Sequence, residues 1–221
     1  MRIAIDGPAA SGKTSLGRAL ATQFGCRFVE TGKMYRAVAL ALRRGTPLED
    51  VRIGVREPER FFLGDEDVTE LLHTPELDQG SSEVATLPEV RARLVDLQRS
   101  IAEGGNVVME GRDIGTVVLP NADVKIYLLA SREERAKRRV RQRAGADYEQ
   151  TLAELAIRDE RDETRAIAPL KPARDATIIE TDRKALAEVI SEVSNVVKGR
   201  LGRHCRGDGR TDGKARSTEQ S

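Results

Sequence analysis

Gly7 to Thr14 reads GPAASGKT and satisfies the pattern G-x-x-x-x-G-K-[ST]. That spacing suits the phosphates of a nucleoside triphosphate. The glycines let backbone N–H groups turn inward around phosphate oxygens, and a helix opening near Gly12 points the positive end of its dipole at them. Gly7, Pro8, Ala9, Ala10, Ser11 and Gly12 are expected to form the cradle for ATP, with Lys13 as a mobile cation. Thr14 offers a hydroxyl to Mg²⁺, directly or through water, and Ser15 a further phosphate contact. Such a loop names a donor, ATP or GTP, and leaves the acceptor open. No base-reading N-K-x-D is present, which sets GTPases aside, whereas VVME at 107–110, an apolar run ending in an acid, is compatible with a mechanical ATPase.

A second concentration of chemistry lies late in the chain. Residues 158–165, RDERDETR, hold four acids and three arginines, and Arg158, Arg161 and Arg165 are spaced i, i+3, i+7. On a helix that spacing puts the three arginines on one face, with Asp162 one turn after Arg158. Just upstream, SREERAKRRVRQR places seven Lys/Arg in the thirteen residues from Ser131 to Arg143. Most of that run reads as a solvated charged face.

Short apolar runs alternate with helical patterns, as βα units around a parallel sheet do. The strands are IAI at 3–5, FV at 28–29, VVM at 107–109, VKIYLLA at 124–130 and TII at 177–179; helices are expected near 13–24, 33–44, 88–103, 131–143, 148–165 and 183–200. Residues 58–88 break the rhythm with a hairpin-like FFLGDEDV and short polar helical pieces, and read as an insertion. From 199 to 221 the chain is rich in Gly, Arg and small polar residues, so a disordered basic tail is expected after a single domain over 1–198. That tail carries +3 of a net charge of +1, leaving −2 for residues 1–198 and giving nucleic-acid binding no support from the core. No run of eighteen apolar residues would span a bilayer, and the N-terminus lacks the form of a signal peptide, so a cytoplasmic location is expected. Cys26 and Cys205 are far apart and lack zinc-ligand spacing; both read as free thiols.

The motifs beyond the phosphate loop carry a resemblance. ETGKMYRAVAL at 30–40, DVTELLHTPEL before SSEVATLPEVR, EGRDIGTVVLPNADVKIYL at 110–128, SREERAKRR, and RDERDETRAIAPL at 158–170 together resemble bacterial cytidylate kinases, from about Ile3 to Val193. The resemblance implies an α/β fold of the P-loop NTPase type, with a five-stranded parallel sheet flanked by helices, a small acceptor-binding insertion over 58–88 and a helical lid over 140–166. It implies transfer of the γ-phosphoryl group of ATP to CMP or dCMP, assisted by Mg²⁺, in a monomer with no membrane or nucleic-acid partner.

By that resemblance Ser82, Arg91 and Asp113 read the cytosine: Asp113 accepts from the exocyclic amine and Arg91 donates to ring acceptors, so uracil would meet the carboxylate acceptor to acceptor. Arg36 and Arg112 hold the acceptor phosphate, with the Thr31 hydroxyl in the same pocket. Arg158 and Arg165 contact phosphate, Asp162 the ribose hydroxyls, and Arg161 is a further member. Lys13, Arg112, Arg158 and Arg165 are the expected catalytic residues, because arginines where charge spreads over transferring oxygens can contribute on the order of 10³–10⁵ in rate. Tyr35 reads as packing. The chain departs from the family at Lys33, usually a small residue, at Glu30, usually Asp, and in GKTS, where GKG/ST is usual. Other readings are a P-loop kinase for another small metabolite, such as shikimate or gluconate, and a non-catalytic nucleotide or nucleic-acid binding module.

Overall fold

The computed structural model describes residues 1–56, 59–143 and 145–204. The five expected strands are present as β1 (Arg2–Asp6), β2 (Arg27–Glu30), β6 (Val107–Gly111), β7 (Val124–Leu129) and β8 (Thr177–Glu180). They pair in the order β2-β6-β1-β7-β8, every pair parallel. The central strands β1, β6 and β7 are buried almost throughout because both faces are covered, whereas on the edge strand β8 only Ile179 is buried. On β1, Ile3 and Ile5 pack with Leu16 and Leu20 of α1 (Lys13–Phe24) and Val193 and Val197 of α7 (Leu186–His204), while Ala4 turns to the other face. There it joins Met34 and Val38 of α2 (Thr31–Arg43) and Leu94 of α4 (Pro88–Glu103). Register sets Asp6 beside Gly111 and Glu30 beside Glu110, so four chemically useful positions line up on the carboxyl edge of the sheet.

The insertion is larger than the sequence suggested. The expected hairpin is β4 (Arg60–Leu63) and β5 (Glu66–Asp67), turning at Gly64 with φ 58°, but β3 (Ile53–Arg56) pairs antiparallel with β4 and starts the unit before residue 58. Four residues with a glycine among them carry too little alternation to announce a strand. The expected short helical pieces are a 3₁₀ turn at Thr69–Leu72 and one ten-residue helix, α3 (Pro75–Val84). Pro75 suits the first turn of α3, and the Thr74 hydroxyl accepts from the Leu77 amide at 3.3 Å.

Helices α5 (Arg132–Gln142) and α6 (Tyr148–Thr164) begin at Ser131 and Asp147, whose side chains accept from the amides of Glu134 and Gln150. Helix α7 reaches His204, so residues 199–204 are helical and not the start of a disordered tail; the remainder of that tail, with Cys205, lies outside the described residues. Cys26 is a free thiol. Among the described residues no helix is long and apolar enough to cross a membrane.

Candidate active site

The loop between β1 and α1 has the conformation its residue types require. Gly7 takes φ 149° and Gly12 φ 97°, and a Cβ on Gly7 would lie 2.5 Å from the Leu128 carbonyl oxygen. Lys13 is buried at the first turn of α1 and donates to the Pro8 carbonyl at 2.6 Å. Burial, then the charge of Arg112, holds its ammonium well below the usual lysine value. The Thr14 hydroxyl donates at 2.6 Å to Oε1 of Glu110, the acid ending the VVME run. Burial raises the Glu110 carboxyl, and its Oε2 has no hydrogen-bond partner among the described residues. A cavity of about 270 Å³ extends from residues 9–15 to Glu30 and Arg36 on one side and to Thr181 and Lys184 on the other.

A second cavity, of about 50 Å³, is lined by Thr31, Tyr35, Asp113, Asp162 and Arg165 among others. Gly32, Gly111, Arg112 and Arg158 line both cavities and form the boundary between them. Of the nine residues expected on the acceptor side, Thr31, Arg112, Asp113, Arg158, Asp162 and Arg165 line the smaller cavity, Ser82 and Arg91 reach it through Asp162 and Asp113, and Arg36 lines the larger cavity. Thr31 donates to the Glu110 carbonyl at 2.7 Å. The Ser82 hydroxyl and Arg112 Nε donate to the two oxygens of Asp162 at 2.9 and 2.8 Å. Arg91 pairs with Asp113, whose other oxygen lies 3.4 Å from Arg165 Nη2. Arg158 places Nε 3.9 Å from Asp162, and Arg36 places Nη1 3.1 Å from Glu30. Burial and the neighbouring Arg112 pull Arg158 down to about 9, so it stays charged at neutral pH.

With this arrangement the family comparison agrees: residues 3–199 match the family described as cytidylate kinase. The chain belongs to the cytidylate kinase family. The curated cytidylate kinase of Mycobacterium leprae is 48% identical over 215 residues, covering 90% of this chain and 96% of that protein. That of Pelotomaculum thermopropionicum is 45% identical over 218 residues, with 90% and 96% covered. A solved gluconokinase from Sinorhizobium meliloti shares the fold at TM-score 0.51 and 17% identity, over 93% of this chain and 97% of that one.

Several side chains of this cytidylate kinase family member differ from the sequence reading. Arg165 does not share a helical face with Arg158: α6 ends at Thr164, and Arg165 turns extended (φ −56°, ψ 138°) so that its Nε reaches the Ala168 carbonyl at 2.6 Å. Arg161 faces Glu83 at 3.7 Å instead of joining the phosphate-side arginines. In the Arg132–Arg143 run, Arg132, Lys137 and Arg141 are exposed as expected of a solvated face, but Arg135, Arg138, Arg139 and Arg143 are engaged within the fold. Arg135 is buried in a bidentate pair with Asp159 and donates to the Ala9 carbonyl at 3.2 Å, and Arg138 reaches the Ser11 carbonyl at 3.3 Å. Lys33 is buried, 3.6 Å from Glu30 and 5.6 Å from the centroid of the Phe61 ring, so the two acceptor-wall departures pair with each other. Tyr35 is buried yet lines the smaller cavity. Sequence reasoning missed Asp6, whose carboxylate accepts from the amides of Ile114 and Gly115 at 2.8 Å each and so holds the turn after Asp113. It also missed Asp78, Asp159 and Arg139. An apolar flank every three or four residues announces a helix face, but no local pattern names a partner across the fold.

Proposed function

We propose that this protein transfers the γ-phosphoryl group of ATP to CMP and dCMP, forming ADP and the diphosphates. The observation that carries the reading is the shared boundary: Arg112 and Arg158 stand between the phosphate-loop cavity and the acceptor cavity, where a phosphoryl group would cross. ATP occupies the larger cavity, its phosphates in the Gly7–Ser15 loop against Lys13. The acceptor nucleotide occupies the smaller one. Arg91 and Asp113 form a buried donor–acceptor pair, and Arg91 Nη1 has no hydrogen-bond partner among the described residues, which supports reading a cytosine ring acceptor with that nitrogen and the exocyclic amine with Asp113. Ser82 and Asp162 sit beside them for the base edge and the ribose, and Thr31 and Arg36 hold the acceptor phosphate.

Catalysis in this site is positioning and charge stabilisation. The acceptor phosphate is already ionised near neutral pH, so no general base is needed; Lys13, Arg112, Arg158 and Arg165 face the negative charge that spreads over the transferring oxygens. The residues present fit Mg²⁺: Thr14 Oγ1 and the partnerless Glu110 Oε2 offer oxygen ligands, directly or through water, beside the phosphate loop. When bound, the ion neutralises charge on the triphosphate. Residues 140–166 act as a lid that excludes water, the insertion holds the acceptor, and the protein works as a monomer. Engagement of Arg135, Arg138 and Arg139 of α5, and of Arg143 just after it, within the fold argues against a nucleic-acid surface there.

The test is a coupled assay comparing CMP, dCMP, UMP and AMP with Mg-ATP. Rapid, Mg-dependent formation of the cytidine diphosphates with UMP and AMP far slower is the expected result. Equal turnover of UMP would overturn the base assignment, and no turnover of any nucleotide would overturn the kinase reading.

A further inference from the structure

Asp78 lies on α3, in the insertion, and four guanidinium groups converge on its buried carboxylate. Oδ1 lies 2.8 Å from Nη2 of Arg36, on α2, and 3.8 Å from Nη1 of Arg158, on α6. Oδ2 meets Arg139, on α5, and Arg143, the residue following that helix. Glu30 shares Arg36, and Asp162 lies 3.9 Å from Arg158 while pairing with Arg112; these three carboxylates, Asp78 included, against five arginines still leave a surplus of positive charge in a partly desolvated place. Burial and the neighbouring guanidiniums pull Arg139 down to about 9. A surplus of that kind is stable when a further anion completes it.

The geometry leaves room for that anion. Arg36 and Arg158 each give an Nη nitrogen to the Asp78 side, while the Nε of each is buried and has no hydrogen-bond partner among the described residues, Arg158 Nε standing 3.9 Å from Asp162 Oδ2. Both arginines line the larger cavity, and Arg158 lines the smaller one as well. Arg139 also lines the larger cavity, and it and Arg143 anchor the α5 side to the same carboxylate. Four helices are thus tied at one carboxylate: α2 and α3 on the acceptor side, and α5 and α6.

We propose that Asp78 is a positioning residue, a strap that ties α5 and α6 to the acceptor pocket and holds Arg36 and Arg158 with their Nε groups free for the acceptor phosphate. The nature of that phosphate rests on the CMP kinase reading; the strap itself does not. Asp78 touches no reacting atom. Its removal acts on the acceptor more than on ATP because, although Arg36, Arg139 and Arg158 also line the larger cavity, the phosphate loop itself is held separately through Arg135 to Ala9 and Arg138 to Ser11.

The experiment compares the wild-type full chain with Asp78→Asn and Asp78→Glu. In Asp78→Asn the KM for CMP should rise about tenfold, the effect of misplacing a charge-assisted contact, with the KM for ATP changed by less than about threefold. Asp78→Glu should recover part of the loss. In ligand-free protein, amide hydrogen exchange across α6 should quicken about tenfold while β1 and α7 keep their rates. This second readout needs no substrate, so a wild-type enzyme that ignored CMP would sink the kinase reading and leave the strap to be decided by exchange. Unchanged KM for CMP with unchanged exchange in α6 overturns the proposal, as does an equal rise in both KM values with faster exchange throughout. If Asp78→Asn does not fold, Arg143→Gln removes one arm of the strap and leaves the carboxylate paired. A rise of about threefold in the KM for CMP alone then supports the proposal, and no rise overturns it.

Discussion

Arg112 Nε donates to Asp162 Oδ2 at 2.8 Å across a sequence separation of fifty residues, and the other oxygen of Asp162 takes the Ser82 hydroxyl at 2.9 Å. One carboxylate therefore joins the carboxyl edge of the sheet, the insertion and α6. Burial alone would raise the Asp162 carboxyl, but Arg112 and Arg158 outweigh it and hold it below the usual aspartate value. Its contribution to stability is present above the unfolded-state pKa, near 4, and is lost as pH falls through the lower folded-state value.

Asp162→Asn should consequently destabilise the protein at pH 7 more than at pH 3, and lower kcat/KM for CMP by about 10² through a misdirected Arg112. Urea midpoints at the two pH values and steady-state rates check both parts. A stability deficit that did not shrink at pH 3 would show that charge pairing is not what Asp162 supplies.

Arg158→Ala and Arg165→Ala should each lower kcat by at least ~10² without unfolding the protein. The two are expected to differ in specificity. Arg165 Nη2 lies 3.4 Å from Asp113 and its loss should also narrow the preference for CMP over UMP, whereas Arg158 borders both cavities and should affect all acceptors alike. Rates with CMP and UMP, beside a circular dichroism melt, separate these outcomes. An unchanged kcat in Arg158→Ala would return that side chain to a purely structural part.

Asp6 gives a pH signature of opposite sign. Burial raises its carboxyl to about 6, against the lowering effect of the Gly115 and Ile114 amides. The folded protein then holds the proton more tightly than the unfolded chain, so raising the pH from about 4 to about 6 favours unfolding, by ~3 kcal/mol for a shift of about two units. Asp6→Asn carries a constant penalty for the poorly matched second amide but no titration. The difference in stability between wild type and Asp6→Asn should therefore shift against the wild type over that pH range, as followed by denaturant midpoints; parallel curves would contradict the raised value.

The parts of this structure legible in the sequence are those written in local pattern. Alternating apolar runs located all five parallel strands, and GPAASGKT located the phosphate loop with its glycine conformations. The acceptor residues were legible only through family motifs, since Arg91 or Ser82 alone looks like an ordinary helix residue. What escaped was set by tertiary pairing. Asp78 and Arg143 stand 65 residues apart and Asp6 and Gly115 stand 109 apart, and no spacing rule connects such partners. The same cause misled the reading of Arg165: the i, i+7 spacing from Arg158 assumed a helix that Thr164 ends, one residue short. The Arg132–Arg143 run looked solvated because composition cannot tell an arginine facing water from one, such as Arg135, facing a buried aspartate.

The two outer glycines of the phosphate loop are separable by experiment. Gly7 combines φ 149° with a backbone neighbour, the Leu128 carbonyl oxygen, 2.5 Å from where a Cβ would stand; Gly12 takes φ 97° but has nothing within 4 Å. Gly12→Ala therefore meets backbone strain alone, about 1–3 kcal/mol. Gly7→Ala meets that strain and a clash with a strand that cannot give way, because β7 pairs with β1 on one side and β8 on the other. The expected order of stability is wild type, then Gly12→Ala, then Gly7→Ala, with Gly7→Ala lower by at least ~2 kcal/mol than Gly12→Ala. Denaturant midpoints measure the order. If the two variants were equally stable, the close approach of the loop to β7 would not be a constraint on residue 7, and the requirement for glycine there would reduce to φ alone.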